Sequence, residues 1–451
     1  MSQLPDVSDT IVAISTPPGT GGLAVVRLSG EHSLETIQRF FSAGRQLKPR
    51  HATYGIIEHP DLGEGAFDDV VVTWFPAPNS ATGEDVVEIS LHGGAYLQQA
   101  LLEVLSRQDQ VRLAQPGEFT LRSFLNGKMD LSSAEAVAEA IHAQDAVAHR
   151  QSQIHLHGNL RNYIAQLKQD LLKIVSFIEA ELDFSDQEIE FVSPKQHLAQ
   201  IESLIARASS LLDTYFYGRR LVEGFRVPLI GAPNTGKSSI FNVLQGFDRA
   251  IVTEVAGTTR DTIEAPISVA GHTLILVDTA GVRESKDQIE VLGVDRTRQE
   301  LERADIVLSI QSADIPPEAF TPPEGVPVIR VLNKSDLTNQ GTNRSSPADV
   351  VISCLTGEGF DAFHQKLAEA VLGMRRKTTE GLIITSQRQA HTLRRFIESC
   401  EIAVSAIHTD AGPEYVASDL RNGLTILGEI TGETTPDDIL GEIFGSFCIG
   451  K

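Results

Sequence analysis

The chain has 451 residues, 41% of them hydrophobic and 22% charged, with a formal net charge of −22 at pH 7; this is the composition of an ordinary globular protein, long enough for roughly three domains. Its three cysteines, Cys354, Cys400 and Cys448, form no C-x-x-C pair and exclude a disulfide scaffold or a zinc ribbon. No basic, apolar leader and no membrane-length apolar run is present, so a cytoplasmic protein without a membrane partner is expected; the acidic total gives no hint of nucleic-acid binding, and such a substrate would need a local basic patch or a partner supplying one.

Residues 1–126 read as mixed α/β. Short β-rich runs at Ile11–Ile14, Leu23–Leu28, Val70–Phe75 and Val86–Leu91 alternate with an amphipathic stretch at Ala95–Leu105. Residues 127–222 change to helical spacing, opened by the capping-box pattern Ser132-Ser133-Ala134-Glu135 and interrupted between Asp183 and Pro194. Across 223–377 strands alternate with helices, the order of a doubly wound sheet, with Asp314 to Pro327 read as a surface loop. Pro228 conflicts with a central first strand, and either a bulge or a later start is expected there. Residues 378–451 are helical again, with a turn at Glu429–Glu433. An α/β domain flanked on both sides by helical sequence predicts insertion into a helical domain whose halves pack together.

The inserted domain carries the chemistry. Gly231-Ala232-Pro233-Asn234-Thr235-Gly236-Lys237-Ser238-Ser239 follows an apolar run and precedes a helical pattern. Such a loop turns backbone N–H groups toward phosphate oxygens, with Lys237 reaching the β/γ-phosphates and Ser238 on magnesium. Asp278-Thr279-Ala280-Gly281 ends a second strand and delivers a carboxylate to the magnesium shell. Asn333-Lys334-Ser335-Asp336 ends a third, where Asp336 can accept from guanine N1–H and the exocyclic amine; adenine offers neither donor. Ser353 is placed to finish the base pocket. Four elements in this order resemble a GTPase domain.

Between them, Glu254-Val255-Ala256-Gly257-Thr258-Thr259 occupies the switch position, and Thr259 is expected to close over the γ-phosphate with its hydroxyl on magnesium. Val282 stands where Ras-like proteins carry a water-orienting Gln, leaving Arg283, Glu284, Asp287 and Glu290 as candidates for that task. Asn234 taken alone reads as a turn-former. Cys448 lies near the end of the sequence with no base assignable to it.

End to end, the chain resembles the MnmE (TrmE) family of tRNA-modification GTPases. The resemblance is carried by Thr16-Pro17-Pro18-Gly19 with Gly21-Gly22, Thr82-Gly83-Glu84-Asp85, His92-Gly93-Gly94, Pro116-Gly117-Glu118-Phe119, Phe124-Leu125-Asn126-Gly127-Lys128, the GTPase motifs, and Cys448-Ile449-Gly450-Lys451. It implies a homodimer with a folate-binding and dimerisation domain at 1–126, a helical domain split into 127–222 and 378–451, and a GTPase domain at 223–377. It implies a partner, MnmG, using FAD and NADH, in a heterotetramer or larger complex. It further implies installation of an aminomethyl-type group on C5 of the wobble uridine of certain tRNAs, with 5-formyl- or methylene-tetrahydrofolate as the one-carbon source. By position, Arg27, Glu88, Lys128 and Lys451 match folate-binding residues. Asn234, Thr253, Val255 and Thr258 match a potassium site, Ser238 and Thr259 the magnesium ligands, Glu290 the water-positioning acid, and Cys448 a cysteine tied to modification. Thr20 and Ala232 stand where the family commonly has Arg, and Cys354-Leu355 replace its usual Ala-Lys. The competing readings are a regulatory GTP switch, such as a ribosome-assembly factor without base chemistry, and a dimer scaffold that barely hydrolyses GTP.

Overall fold

The computed structural model describes residues 7–43, 46–183, 194–247, 263–278, 298–315, 321–340, 348–374 and 381–450. It divides into two compact units, one of residues 1–138, 155–168 and 424–451, the other of 139–154 and 169–423.

The first unit is built on a seven-stranded sheet. Its strands are β1 (Thr10–Ile14), β2 (Leu23–Ser29), β3 (Phe41–Ser42), β4 (Thr53–Ile57), β5 (Asp68–Phe75), β6 (Val86–His92) and β7 (Val111–Leu113), in the order β3-β4-β5-β6-β2-β1-β7. Every pairing is antiparallel except β1 with β7. Alternation along β2 and β5 sends one face inward, and Val26, Leu28, Val70 and Val72 share a core with Leu101, Val104 and Leu105. The last three come from α2 (Ala95–Ser106), while α1 (Ser33–Gln38) adds Ile37. The runs expected at Ile11, Leu23, Val70, Val86 and Ala95 are all present; β3, β4, β7 and α1 were not anticipated.

After α3 (Glu118–Leu125) come α4 (Leu131–His142), α5 (Ala146–Leu156), α6 (Asn159–Asp183), α7 (Pro194–Leu212) and α8 (Tyr215–Glu223). The capping box expected at Ser132 is displaced. Asp130 accepts from Ser133 N–H at 3.0 Å and from both serine hydroxyls, so Ser132 and Ser133 lie inside the helix. The two carboxylate oxygens of Asp130 let it serve the Ser133 amide and both serine hydroxyls at once.

The six-stranded sheet of the second unit comprises β8 (Phe225–Ile230), β9 (Ile263–Val269), β10 (His272–Asp278), β11 (Val307–Ser312), β12 (Val328–Asn333) and β13 (Val350–Val351). Its order is β13-β12-β11-β8-β10-β9, parallel throughout except β9 against β10. Helices α9 (Lys237–Phe247) and α10 (Phe360–Gly373) belong to it. Strands β8 and β10 are buried along nearly their whole length, as central parallel strands are. This α/β domain is inserted within the helical region, which resumes with α11 (Gln387–His408), α12 (Pro413–Thr431) and α13 (Asp437–Gly445). The turn expected at Glu429–Glu433 begins later, because α12 runs through Thr431 and breaks at Gly432, where φ is 92°.

Pro228 neither bulges the strand nor delays it. Arg226 both donates to and accepts from Asp305 on the β11 side, so the parity of a parallel strand turns position 228 to that side too. The registered β8–β11 ladder opens only at Leu229, and the missing donor falls just before it.

The chain leaves the helical region and returns to it at one place. Ile384 N–H donates to Thr214 Oγ1 at 2.9 Å, and a Cβ on Gly218 would sit 2.1 Å from Ile384 O. Farther along, Asp145 Oδ1 caps α5 by accepting from Val147 and Ala148 N–H. Its Oδ2 accepts from Thr273 N–H at 2.8 Å, tying that cap to the start of β10.

Candidate functional site

The loop leaving β8 is shaped by contacts within the protein. A Cβ at Gly231 would meet Ile310 O of β11 at 2.1 Å, and one at Gly236, where φ is 97°, would meet Asn333 Nδ2 at 2.2 Å. Both positions therefore require glycine. Asn234 takes a φ of 65° at the exposed crest, in keeping with an asparagine's tolerance of the left-handed region. Thr235 Oγ1 donates to Ala232 O at 2.9 Å. Lys237 is buried, its ammonium donating to Gly231 O at 2.6 Å and Ala232 O at 3.0 Å across the mouth of the loop. Ser238 and Ser239, in the first turn of α9, are exposed. Ser238 Oγ donates to Asp278 Oδ2 at 2.9 Å, which brings together the hydroxyl and the carboxylate expected to share magnesium.

On the opposite side, Asn333 is 2% exposed and joins two loops. Its Nδ2 donates to Thr235 O at 3.0 Å, and its Oδ1 accepts from Cys354 N–H at 3.3 Å. Lys334 adopts a φ of 60°, and its ammonium pairs with Asp314 at 2.9 Å. Asp336 accepts from the hydroxyl of the buried Ser353 at 2.6 Å. The phosphate loop, the strand-end carboxylate Asp278 and the base-side residues thus converge at the ends of parallel strands, where open α/β sheets bind ligands. Burial raises the Cys354 thiol above its ordinary value. The expected residues Thr253, Glu254, Val255, Ala256, Gly257, Thr258, Thr259, Thr279, Ala280, Gly281, Val282 and Glu290 lie outside the described residues.

The expected folate residues divide. Arg27 and Glu88 face each other across β2 and β6, with Arg27 Nη2 2.7 Å from Glu88 Oε1 and its guanidinium 5.7 Å from the centre of the Phe119 ring. Lys128 instead donates to Pro78 O at 2.8 Å, and Lys451 lies outside the described residues. The segment carrying Cys448 is laid against β1. Ser15 Oγ donates to Gly450 O at 3.2 Å, Gly117 N–H to Cys448 O at 3.3 Å, and a Cβ on Gly450 would meet Ile14 O at 2.2 Å.

Sequence reasoning missed the ionic cluster beneath these strands. Arg122, fully buried, pairs with Asp9, Glu84 and Glu118, and Arg112 pairs with Asp9 and Glu118. The motif residues Glu84 and Glu118 are therefore committed to arginines inside the fold. It also missed Asp314 and Asp145, whose partners lie 20 and 128 residues away.

Comparison with known proteins places these features. A profile described as the MnmE helical domain matches residues 131–448, and one described as the N-terminus of the GTP-binding protein TrmE matches 10–128. The tRNA modification GTPase MnmE of Akkermansia muciniphila is 41% identical over 451 residues, 99% of this chain and all of that protein. The one from Aquifex aeolicus is 38% identical over 456 residues, 98% of this chain and all of its own length. Among solved structures, the FeoB G domain from Methanococcus jannaschii covers 33% of this chain and 97% of its own, at 22% identity and a TM-score of 0.24.

Proposed function

The chain belongs to the MnmE family of tRNA modification GTPases, and on that footing we propose that it hydrolyses GTP in the course of modifying the wobble uridine of certain tRNAs. The observation that carries the nucleotide reading is Asn333, one buried amide that fastens the phosphate loop to the base-side loop through Thr235 O and Cys354 N–H. Phosphate and base subsites are thereby held in fixed register, a preorganisation that lowers the cost of binding.

In this reading Lys237 leaves the two loop carbonyls to meet the β/γ-phosphates, and Asp336 selects guanine by accepting from its N1–H and amine. Ser238 and Thr259 would hold magnesium, with the Asp278 carboxylate in its shell, and the ion would supply charge neutralisation at the phosphates. Asn234, with Thr253, Val255 and Thr258, would hold potassium, supplying the positive charge that other GTPases take from an arginine. Thr259 closes the site and Glu290 orients the attacking water. With that site filled, the GTP-bound G domains of a homodimer would associate, and hydrolysis would release them.

The modification itself is proposed to need MnmG, FAD and NADH on the partner, and a tetrahydrofolate one-carbon donor. The Arg27–Glu88 pair beside the Phe119 ring suits a flat heterocycle with a donor edge, since only Oε1 of Glu88 is taken by Arg27. Cys448 and Lys451 sit on the segment that the resemblance ties to modification. A partner carrying most of the tRNA contact would reconcile that substrate with a net charge of −22.

The test is nucleoside mass spectrometry of tRNA from cells lacking the protein, with and without re-expression. Loss and return of C5-aminomethyl-type uridines is expected; an unchanged tRNA would make the chain a GTP switch. In vitro, hydrolysis is expected to require potassium, and equal turnover in sodium would remove the potassium site. Glu290→Ala is expected to lower turnover far more than GTP affinity.

A further inference from the structure

Strands β11 and β12 end level, with Ser312 opposite Asn333 in parallel register. One residue past β12 stands Lys334, and two past β11 stands Asp314. Lys334 holds a φ of 60°, a left-handed conformation that an ordinary L-residue seldom adopts and that persists where the surroundings hold it. Two anchors flank it here. Asn333 is tied to Thr235 O and Cys354 N–H on one side, and the Lys334 ammonium donates to both Asp314 oxygens, at 2.9 and 3.2 Å, on the other. Asp314 is itself oriented by a hydrogen bond from Ser312 Oγ. That bond, and then the Lys334 ammonium, hold its carboxyl below the ordinary range, so it stays ionised.

We propose that Asp314 is a positioning residue of the guanine pocket, acting through Lys334 to hold the base-side loop in its binding conformation. The proposal rests on the GTPase reading above and deepens it. Asp314 belongs to neither the phosphate loop nor the base-reading motif; it sets how tightly guanine nucleotides are held, while Asp336 sets which base is chosen. The pair is partly exposed, with side chains 29% and 40% accessible, and in water such a pair is weak. A base settling beside Lys334 excludes water and strengthens the same contact, so its effect appears in the bound state.

The experiment uses the full chain and a fluorescent GDP analogue, comparing the wild type with Asp314→Asn and Asp314→Glu. Asp314→Asn is expected to release GDP about fivefold faster and to raise KM for GTP by a similar factor. The turnover number should stay within twofold, the preference for GDP over ADP unchanged, and Asp314→Glu should recover part of the loss. Affinities equal within twofold, or a fall in turnover with KM unchanged, would overturn the proposal. A loss of affinity tracking a fall in Tm, with no recovery in Asp314→Glu, would reduce Asp314 to a stabilising contact and overturn it too. A wild type that binds ADP as well as GDP would instead remove the GTPase reading on which the proposal stands.

Discussion

Cys400 lies wholly inside α11 packing, where burial pushes its thiol up to about 12, whereas Cys448 is exposed beside the Gly117 turn. Because the thiolate is the reactive form, alkylation at pH 8 with peptide mapping should label Cys448 first. The half-buried Cys354 should follow more slowly and Cys400 only after unfolding; equal rates at Cys400 and Cys448 in the native protein would contradict this packing. Single residues also show where sequence reading stops. Gly231 and Gly236 were legible as a motif, but their reason was not: the Ile310 carbonyl and the Asn333 amide exclude a Cβ before any nucleotide arrives. Asp314 and Arg122 had no signal, because neither belongs to a motif and each depends on a partner far along the chain, Lys334 for Asp314 and Asp9 for Arg122.

Among the elements, those with a clear period were legible, including β1, β2, β5, β6 and α2. A two-residue β3 is too short to show a period, and β4 hides behind Gly55, whose missing side chain makes room for the Phe41 ring. The helix α3 is held by ion pairs as well as by apolar packing. Its Arg122 reaches Asp9 before β1, Glu84 before β6, and Glu118 one turn back. Replacing it by Met would fill much of the volume but leave buried carboxylates short of a cation. A loss of about 3–5 kcal/mol in unfolding free energy is expected by denaturant titration. A loss under 1 kcal/mol would show that Arg112 suffices alone.

At the scale of the molecule, insertion was legible from the order of helical and α/β sequence, whereas the junction was not, since it depends on contacts made across more than 160 residues. Thr214 accepts from Ile384 N–H and donates to Leu211 O, both within buried surroundings. Thr214→Val removes both bonds at nearly constant shape and strands a buried amide, for an expected cost of about 1–3 kcal/mol. Amide exchange at residues 382–385 should accelerate while GDP affinity stays within twofold; protection unchanged at Ile384 would place the junction's strength elsewhere. The meeting of the two connecting segments beside Gly218 also bears on ancestry. A graft whose ends touch asks of its host only the closure of a loop, whatever its own length, because closure entropy grows slowly with the number of residues enclosed. The helical host could thus have taken in the GTPase as a cassette without redrawing its own packing, and a single helical-domain profile still reads across the graft from residue 131 to 448.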